Sequence, residues 1–203
     1  MKTWTFSQRL SEIKRFTGLP TASTDSVAGH SFRVALIASR LWEEFPHPGV
    51  DGALVMTMAL VHDFEESMFG DIPTNFKKYL KPQYDKAARD AINDEGLLSK
   101  FQREAFNMKK SNVIEAEIVE FADKLDAILF LERENERGNN DCDKWKSELY
   151  GFFYDHCGKI EAYYPYIERV LGELNGTWKR NLSKQKLPHE DMEGGASLWF
   201  GGC

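Results

Sequence analysis

Cysteine is scarce in this sequence: Cys142, Cys157 and Cys203 are an odd number at wide spacings, with no Cys-x-x-Cys pair. That excludes a disulfide framework and a thiolate zinc site, and leaves ordinary reduced thiols. No apolar run reaches the roughly 18–20 residues needed to cross a bilayer, so no membrane partner is expected. The opening residues, Met1-Lys-Thr-Trp-Thr-Phe, lack the apolar stretch and small-residue cleavage site of a secretory signal, and the expected location is the cytoplasm. Basic residues are outnumbered and scattered, with a net charge of −6. This argues against a nucleic-acid groove, because duplex binding needs a concentrated basic face, whereas a small anionic substrate needs only a local positive pocket, and no nucleic-acid partner is expected. Sustained two-residue alternation, hairpin turns and internal repeats are also absent.

What is present is helical periodicity. At 203 residues and 42% apolar, the chain can bury the core of one domain. Apolar spacing predicts helices at roughly 4–15, 27–45, 51–69, 75–80, 83–95, 97–107, 112–137, 142–155 and 161–181. The fold class is therefore all-α, a single-domain helical bundle over residues 1–182. From Ser183 the composition cannot bury enough apolar surface to offset its ordering entropy, so 183–203 are expected to form a mobile tail.

In the helix that follows Ser26, a suitable N-cap, Val34, Ile37, Ala38, Leu41 and Phe45 mark the buried stripe. His30 stands four residues before Val34 on that stripe, so its imidazole faces inward. A lone inward histidine is as a rule a hydrogen-bonded core residue, and other residues must raise it to a ligand. The next helix is apolar nearly all round from Ala53 to Val61, which sends it through the middle of the bundle, and then turns acidic at His62-Asp63-Phe-Glu65-Glu66. His62 and Glu66 are four apart and Asp63 and Glu66 three apart, so one turn can present an imidazole and two carboxylates to a single pocket. Uncompensated carboxylates are costly there, and a cation compensates them. Glu65 fits a solvated position. On a later helix, Asp123 is the fourth candidate and Asp126 its rival, each with the alternative of an ion pair with a nearby Lys or Arg. Two histidines with two carboxylates suit one divalent metal ion, whether manganese, cobalt, zinc, iron or magnesium.

The order His30, then His62-Asp63, then Asp123 on a later helix resembles the HD-domain superfamily. More specifically, His62-Asp63-x-x-Glu66-x-x-x-Gly70-Asp71-Ile72-Pro73-Thr74-x-x-Lys77 resembles the bacterial 5′-deoxynucleotidases and the related phage dATP triphosphohydrolases. Arg15-Phe16 stands ahead of Ser26-Val27-x-x-His30-Ser31 where that group has an Arg-Trp pair before Glu-His-Ser. The resemblance covers approximately residues 10–137. It implies that His30, His62, Asp63 and Asp123 bind metal and that Glu66 helps activate water. It further implies that Arg15 and Lys77 meet phosphate, that Asp71 meets the sugar as part of the catalytic set, and that Phe16 belongs to the substrate site. Phe16 replaces Trp and Gly29 replaces Glu, which bears on base stacking and on the surroundings of the first histidine. Each role has a bland counterpart: a surface cation at Arg15, a solvated Lys77 beside Lys78, and an ordinary loop residue at Asp71. Thr74 is also a good N-cap for the helix carrying Lys77.

The activity implied is a 5′-deoxynucleotidase releasing phosphate from deoxynucleoside monophosphates. The alternatives are a deoxynucleoside triphosphate triphosphohydrolase on the same site and, in another class, a non-catalytic helical regulatory module. A triphosphate brings about two further charges and asks for more cations. Lys78 lies about 100° from Lys77 on a helix and Lys81 adjoins Pro82, so the monophosphate is favoured. The partner is thus a small-molecule nucleotide. A homodimer is the expected assembly, since members of the resembled family often assemble through helices. His47, His156 and His189 have no partner at ligand spacing, and Trp4, Trp42, Trp145 and Trp178 read as packing anchors.

Overall fold

The computed structural model describes residues 2–44 and 49–157. The chain divides into two compact units, Met1–Lys159 and Ile160–Cys203, and every described residue belongs to the first. The expected boundary at 182, the helix at 161–181, the tail, Phe45, His47, His189, Trp178 and the side chains of Lys78, Lys81 and His156 lie outside the described residues.

Among the described residues the fold is all-α. Eight α-helices run α1 Lys2–Glu12, α2 Val27–Glu44, α3 Gly52–Val61, α4 Glu66–Phe69, α5 Thr74–Glu95, α6 Lys100–Met108, α7 Ile114–Glu136 and α8 Asp143–Cys157, with a 3₁₀ turn at Asn140–Cys142 before the last. The only extended pairing among them is an isolated antiparallel bridge between Lys14 and Ser26. No described helix is long and apolar enough to cross a membrane.

α3 is the axis of the domain. It carries little amphipathic pattern, being apolar on most sides, and it packs against α2, α6 and α7. Val55, Met58 and Ala59 are fully buried there, against Val34, Ala38 and Leu41 of α2 and Leu125, Ile128 and Leu131 of α7 in the same core. Its start is fixed by Asp51, whose carboxylate accepts from the Ala53 and Leu54 amides. Ser26 does the same for α2, accepting from the Gly29 amide at 3.1 Å.

Four sequence expectations are corrected. The helix expected over 51–69 is two helices, because residues 62–65 form a turn whose bonds, such as Phe64 N–H to the Val61 carbonyl at 3.0 Å, span three residues. His62 Nδ1 donates to the Ala59 carbonyl at 2.8 Å, and a local side-chain bond of this kind competes with the helical ladder. The helices expected at 75–80 and 83–95 are instead one, with Pro82 inside it. The ring removes a single helical donor, on a stretch where Tyr79, Leu80 and Pro82 are exposed. Pro73, and not Thr74, occupies the cap position of that helix, without a side-chain cap bond. Trp4 is 76% exposed and anchors nothing, because of the described α1 side chains only Leu10 reaches the core. Trp145 does pack, against Phe130, Leu131 and Cys142.

The segment between α1 and α2 carries Arg15 and Phe16, and it is tied down at both ends. The Arg15 amide donates to the Asp25 carbonyl at 3.0 Å, closing the bridge. At the far end, the buried Glu134 of α7 accepts from the Ala22 and Ser23 amides, the Ser23 hydroxyl and Asn139 Nδ2. These donors outweigh burial and hold its carboxyl down at about 2. A carboxyl lowered in the folded state stabilises above its ordinary range, and that stability is lost as the pH falls through the folded value. Glu134→Ala should therefore cost about 1–3 kcal/mol at neutral pH, and the gap from the parent protein should close between about pH 4.5 and 2. Denaturant unfolding at a series of pH values measures it, and a gap that stays constant through that range would contradict the assignment.

Candidate active site

Two helices and one turn deliver the candidate metal ligands to one place. His30 comes from the first turn of α2, His62 and Asp63 from the turn that follows α3, and Asp123 from α7. The two imidazoles meet by their Nε2 atoms at 3.2 Å. Asp123 Oδ1 is 3.1 Å from His30 Nε2, and Asp63 Oδ2 is 3.2 Å from His62 Nε2 and 3.6 Å from His30 Nε2. Ligand atoms of His30, His62 and Asp123 all lie within 4.8 Å of one another, and Asp63 faces both rings of that group.

The far side of each ring is occupied. His62 Nδ1 is held by the Ala59 carbonyl, and His30 Nδ1 by Asp126 Oδ2 at 2.7 Å. Asp126 is in turn gripped by Arg33, through Nε at 2.6 Å and Nη2 at 3.0 Å, and Arg33 also reaches Asp25 at 2.8 Å. Asp123 and Asp126 are thus not rivals for one role: three residues apart on α7, they address opposite nitrogens of the same imidazole. Each keeps a cation as well, Lys124 at 2.6 Å from Asp123 and Arg33 on Asp126. With Nδ1 engaged, both Nε2 atoms are free to turn inward as donors of electron pairs, the arrangement in which histidines ligate metals.

Burial and charge fit the same chemistry. His30 is completely buried and His62 nearly so, whereas Asp63 and Asp123 are about a fifth exposed, at 22% and 21%, so the cluster meets solvent on its carboxylate side. Burial works against an imidazolium at His62, yet Asp63, with Asp123 and the Ala59 carbonyl, pushes it up to about 9. Burial likewise opposes ionisation of the two carboxyls. His62 and His30 nevertheless hold Asp63 well below the usual carboxylate range, and Lys124 with the same rings does so for Asp123. The cluster therefore stabilises positive charge, whether as protons on the rings or as a cation between them. Two nitrogen and two oxygen donors suit a borderline divalent ion.

Around this cluster lie the other candidates. Glu66 opens α4, buried, with Lys77 of α5 on its Oε1 at 2.6 Å. Burial, with the Asp63 charge adding and Lys77 opposing, pushes Glu66 up to about 8, and Glu66 holds Lys77 above its usual range despite burial. Asp71 follows Gly70, whose φ of 77° is left-handed, and accepts from the Phe16 amide at 3.0 Å. Burial raises its pKa against Lys77 and Arg15. Phe16 itself has a φ of 58°, rare for a bulky side chain, and its ring stacks on Phe130 at 4.6 Å. Arg15 lies over that ring at 4.7 Å and contacts Asp25 at 3.2 Å and Asp126 at 3.6 Å.

Sequence reasoning misses Asp25 and Arg33, which hold Asp126, although Arg33 sits three residues after His30 on the same helix. It also misplaces Glu65. Instead of being solvated, Glu65 is only 4% exposed and pairs with Lys109 at 2.8 Å, because the break after α3 turns it inward.

A family model described as 5′-deoxynucleotidase YfbR-like matches residues 3–153. The chain belongs to this family. It is an enzyme, a metal-dependent nucleotide phosphohydrolase by that membership. Solved structures agree on the fold. A conserved hypothetical protein from Pyrococcus furiosus is 27% identical, with 85% of this chain and 96% of that chain covered and a TM-score of 0.67. An HD-domain phosphohydrolase from Listeria innocua is 22% identical over 92% of this chain and 93% of its own, with a TM-score of 0.69. The HD phosphohydrolase of cyanophage S-2L, solved with dA and one catalytic Zn²⁺ ion, is 21% identical over 89% and 96%, with a TM-score of 0.57. No curated protein matches the chain.

Proposed function

We propose that this YfbR-like protein is a 5′-deoxynucleotidase that releases phosphate from deoxynucleoside monophosphates, with His30, His62, Asp63 and Asp123 holding one divalent cation. The observation that carries the reading is the convergence of two inward Nε2 atoms and two ionised carboxylates, with the Glu66–Lys77 pair beside them. Held by these residues, a divalent ion would supply Lewis-acid chemistry, polarising a phosphoryl oxygen and lowering the pKa of water. The zinc of the phage relative, which shares this fold, is compatible with such a donor set.

The chain's own residues supply the rest. Glu66 takes the proton of the attacking water in its ionised form, which the Lys77 ammonium on its Oε1 favours against burial. Lys77 and Arg15 offer cationic donors to the phosphate, and both are prepositioned by carboxylates, Glu66 and Asp25. Asp71 meets the sugar. Phe16 keeps the Arg15 segment in its left-handed turn through the Asp71 bond and closes the substrate site against Phe130. The described cations near the site, Arg15, Arg33, Lys77 and Lys124, each already carry a carboxylate partner, which suits one phosphate better than three.

A panel of dAMP, dADP and dATP with Mn²⁺ or Co²⁺ tests the reading. Inorganic phosphate and nucleoside from dAMP are expected, whereas tripolyphosphate or stepwise phosphate from dATP with dAMP untouched would replace it with a triphosphohydrolase. No phosphate from any of the three would favour a regulatory module. In the same assay Glu66→Gln should lose about a hundredfold or more in turnover while retaining metal, and a variant working at the parent rate would remove Glu66 from the mechanism.

A further inference from the structure

We infer that Lys109 is a positioning residue for the His62–Asp63 turn and sets how tightly the cluster holds a divalent cation. The inference rests on reading His30, His62, Asp63 and Asp123 as metal ligands, and it adds a residue that touches none of their ligand atoms.

The turn 62–65 presents two of the four ligands, yet it lies outside both α3 and α4 and has no helical ladder of its own. Lys109 closes it from behind. Its Nζ donates to the His62 carbonyl and, at 2.8 Å, to Glu65 Oε1, so one ammonium joins the first residue of the turn to the last, with Asp63 between them. Glu65 is buried and its Oε2 has no hydrogen-bond partner among the described residues, which leaves Lys109 as the group that compensates its charge.

Lys109 is itself well placed to impose a geometry. It caps the C-terminus of α6, whose start is fixed by the reciprocal Ser99–Gln102 capping box and whose body packs on α3. Its side chain is 15% exposed, and Nζ sits 4.1 Å from the centroid of the buried Phe106 ring. A cation pinned by a capped helix and an aromatic ring therefore fixes the backbone from which the His62 and Asp63 side chains project. Outer partners of this kind, when removed from metal sites, typically weaken metal binding by about 10- to 100-fold.

The test compares the parent protein, Lys109→Met and the double variant Glu65→Gln/Lys109→Met. Each is stripped with chelator and titrated with Mn²⁺ by calorimetry, with thermal unfolding of the metal-free proteins alongside. The double variant removes both charges, so no uncompensated carboxylate burdens its fold, and it decides the matter if Lys109→Met alone does not fold. Mn²⁺ affinity about 10- to 100-fold below the parent, in a double variant that melts near the parent temperature, is the expected result. Affinity within about twofold of the parent in that folded variant overturns the inference. Loss of the fold in the double variant overturns it as well, since the pair would then hold the domain together instead of orienting two side chains. A parent protein that binds no Mn²⁺ is distinguishable from both, because it removes the metal reading first and the role of Lys109 with it.

Discussion

A completely buried imidazole must satisfy both of its nitrogens, and the way His30 does so organises the centre of this protein. Asp126 holds Nδ1 at 2.7 Å, while Nε2 faces His62 at 3.2 Å and Asp123 at 3.1 Å. Those partners come from the turn after α3 and from α7, so α2 buries His30 where it packs against both helices. Each helix also brings aliphatic residues to the meeting point, among them Val34, Met58 and Leu125. The apolar burial that stabilises the domain and the polar arrangement that does chemistry are therefore fixed by the same packing.

Charge is passed outward from that ring in alternating steps. Asp126 is matched by Arg33, Arg33 by Asp25, and Asp25 by Arg15, which lies at the start of the segment proposed to meet substrate. On the other side Asp63 lies in the field of Glu66, and Glu66 is paired with Lys77. Nearly every buried charge has an opposite neighbour, which is how a site rich in acids avoids the cost of burying them. Glu134 fixes the far end of the loop between α1 and α2 through the Ala22 and Ser23 amides, the Ser23 hydroxyl and Asn139, with Arg137 at 3.5 Å as its cation, so the Arg15–Phe16 segment is held by the fold before any substrate arrives.

Much of this is legible in the sequence, for a physical reason. The apolar stripe of α2 has helical spacing with His30 on its inward side, and α3 is apolar nearly all round, so His62 at its end is carried inside the bundle. The same counting places Asp123 and Asp126 on neighbouring positions of α7. What counting cannot supply is which carboxylate meets which nitrogen, because that depends on the rotation of α7 against α2. Nor can it supply the break at His62, since the helical pattern of Ala53 to Val61 runs on through Glu66. The residue that grips the turn, Lys109, is 44 and 47 positions from its two partners. Glu65 reads as solvated for the same reason: on a continuous helix it would face water, and only the break turns it inward. Trp4 errs in the opposite direction, being apolar in a helical pattern with no facing surface to cover it.

Whether the four side chains act as one cage is read most directly from metal content. Parent protein, His62→Ala and Asp123→Ala would be loaded with Mn²⁺, dialysed against metal-free buffer and analysed by mass spectrometry of the elements, with far-ultraviolet circular dichroism to verify the fold. The parent should retain about one ion per chain and both folded variants close to none. A parent that retains no ion, or folded variants that keep the parent's complement, would contradict the assignment.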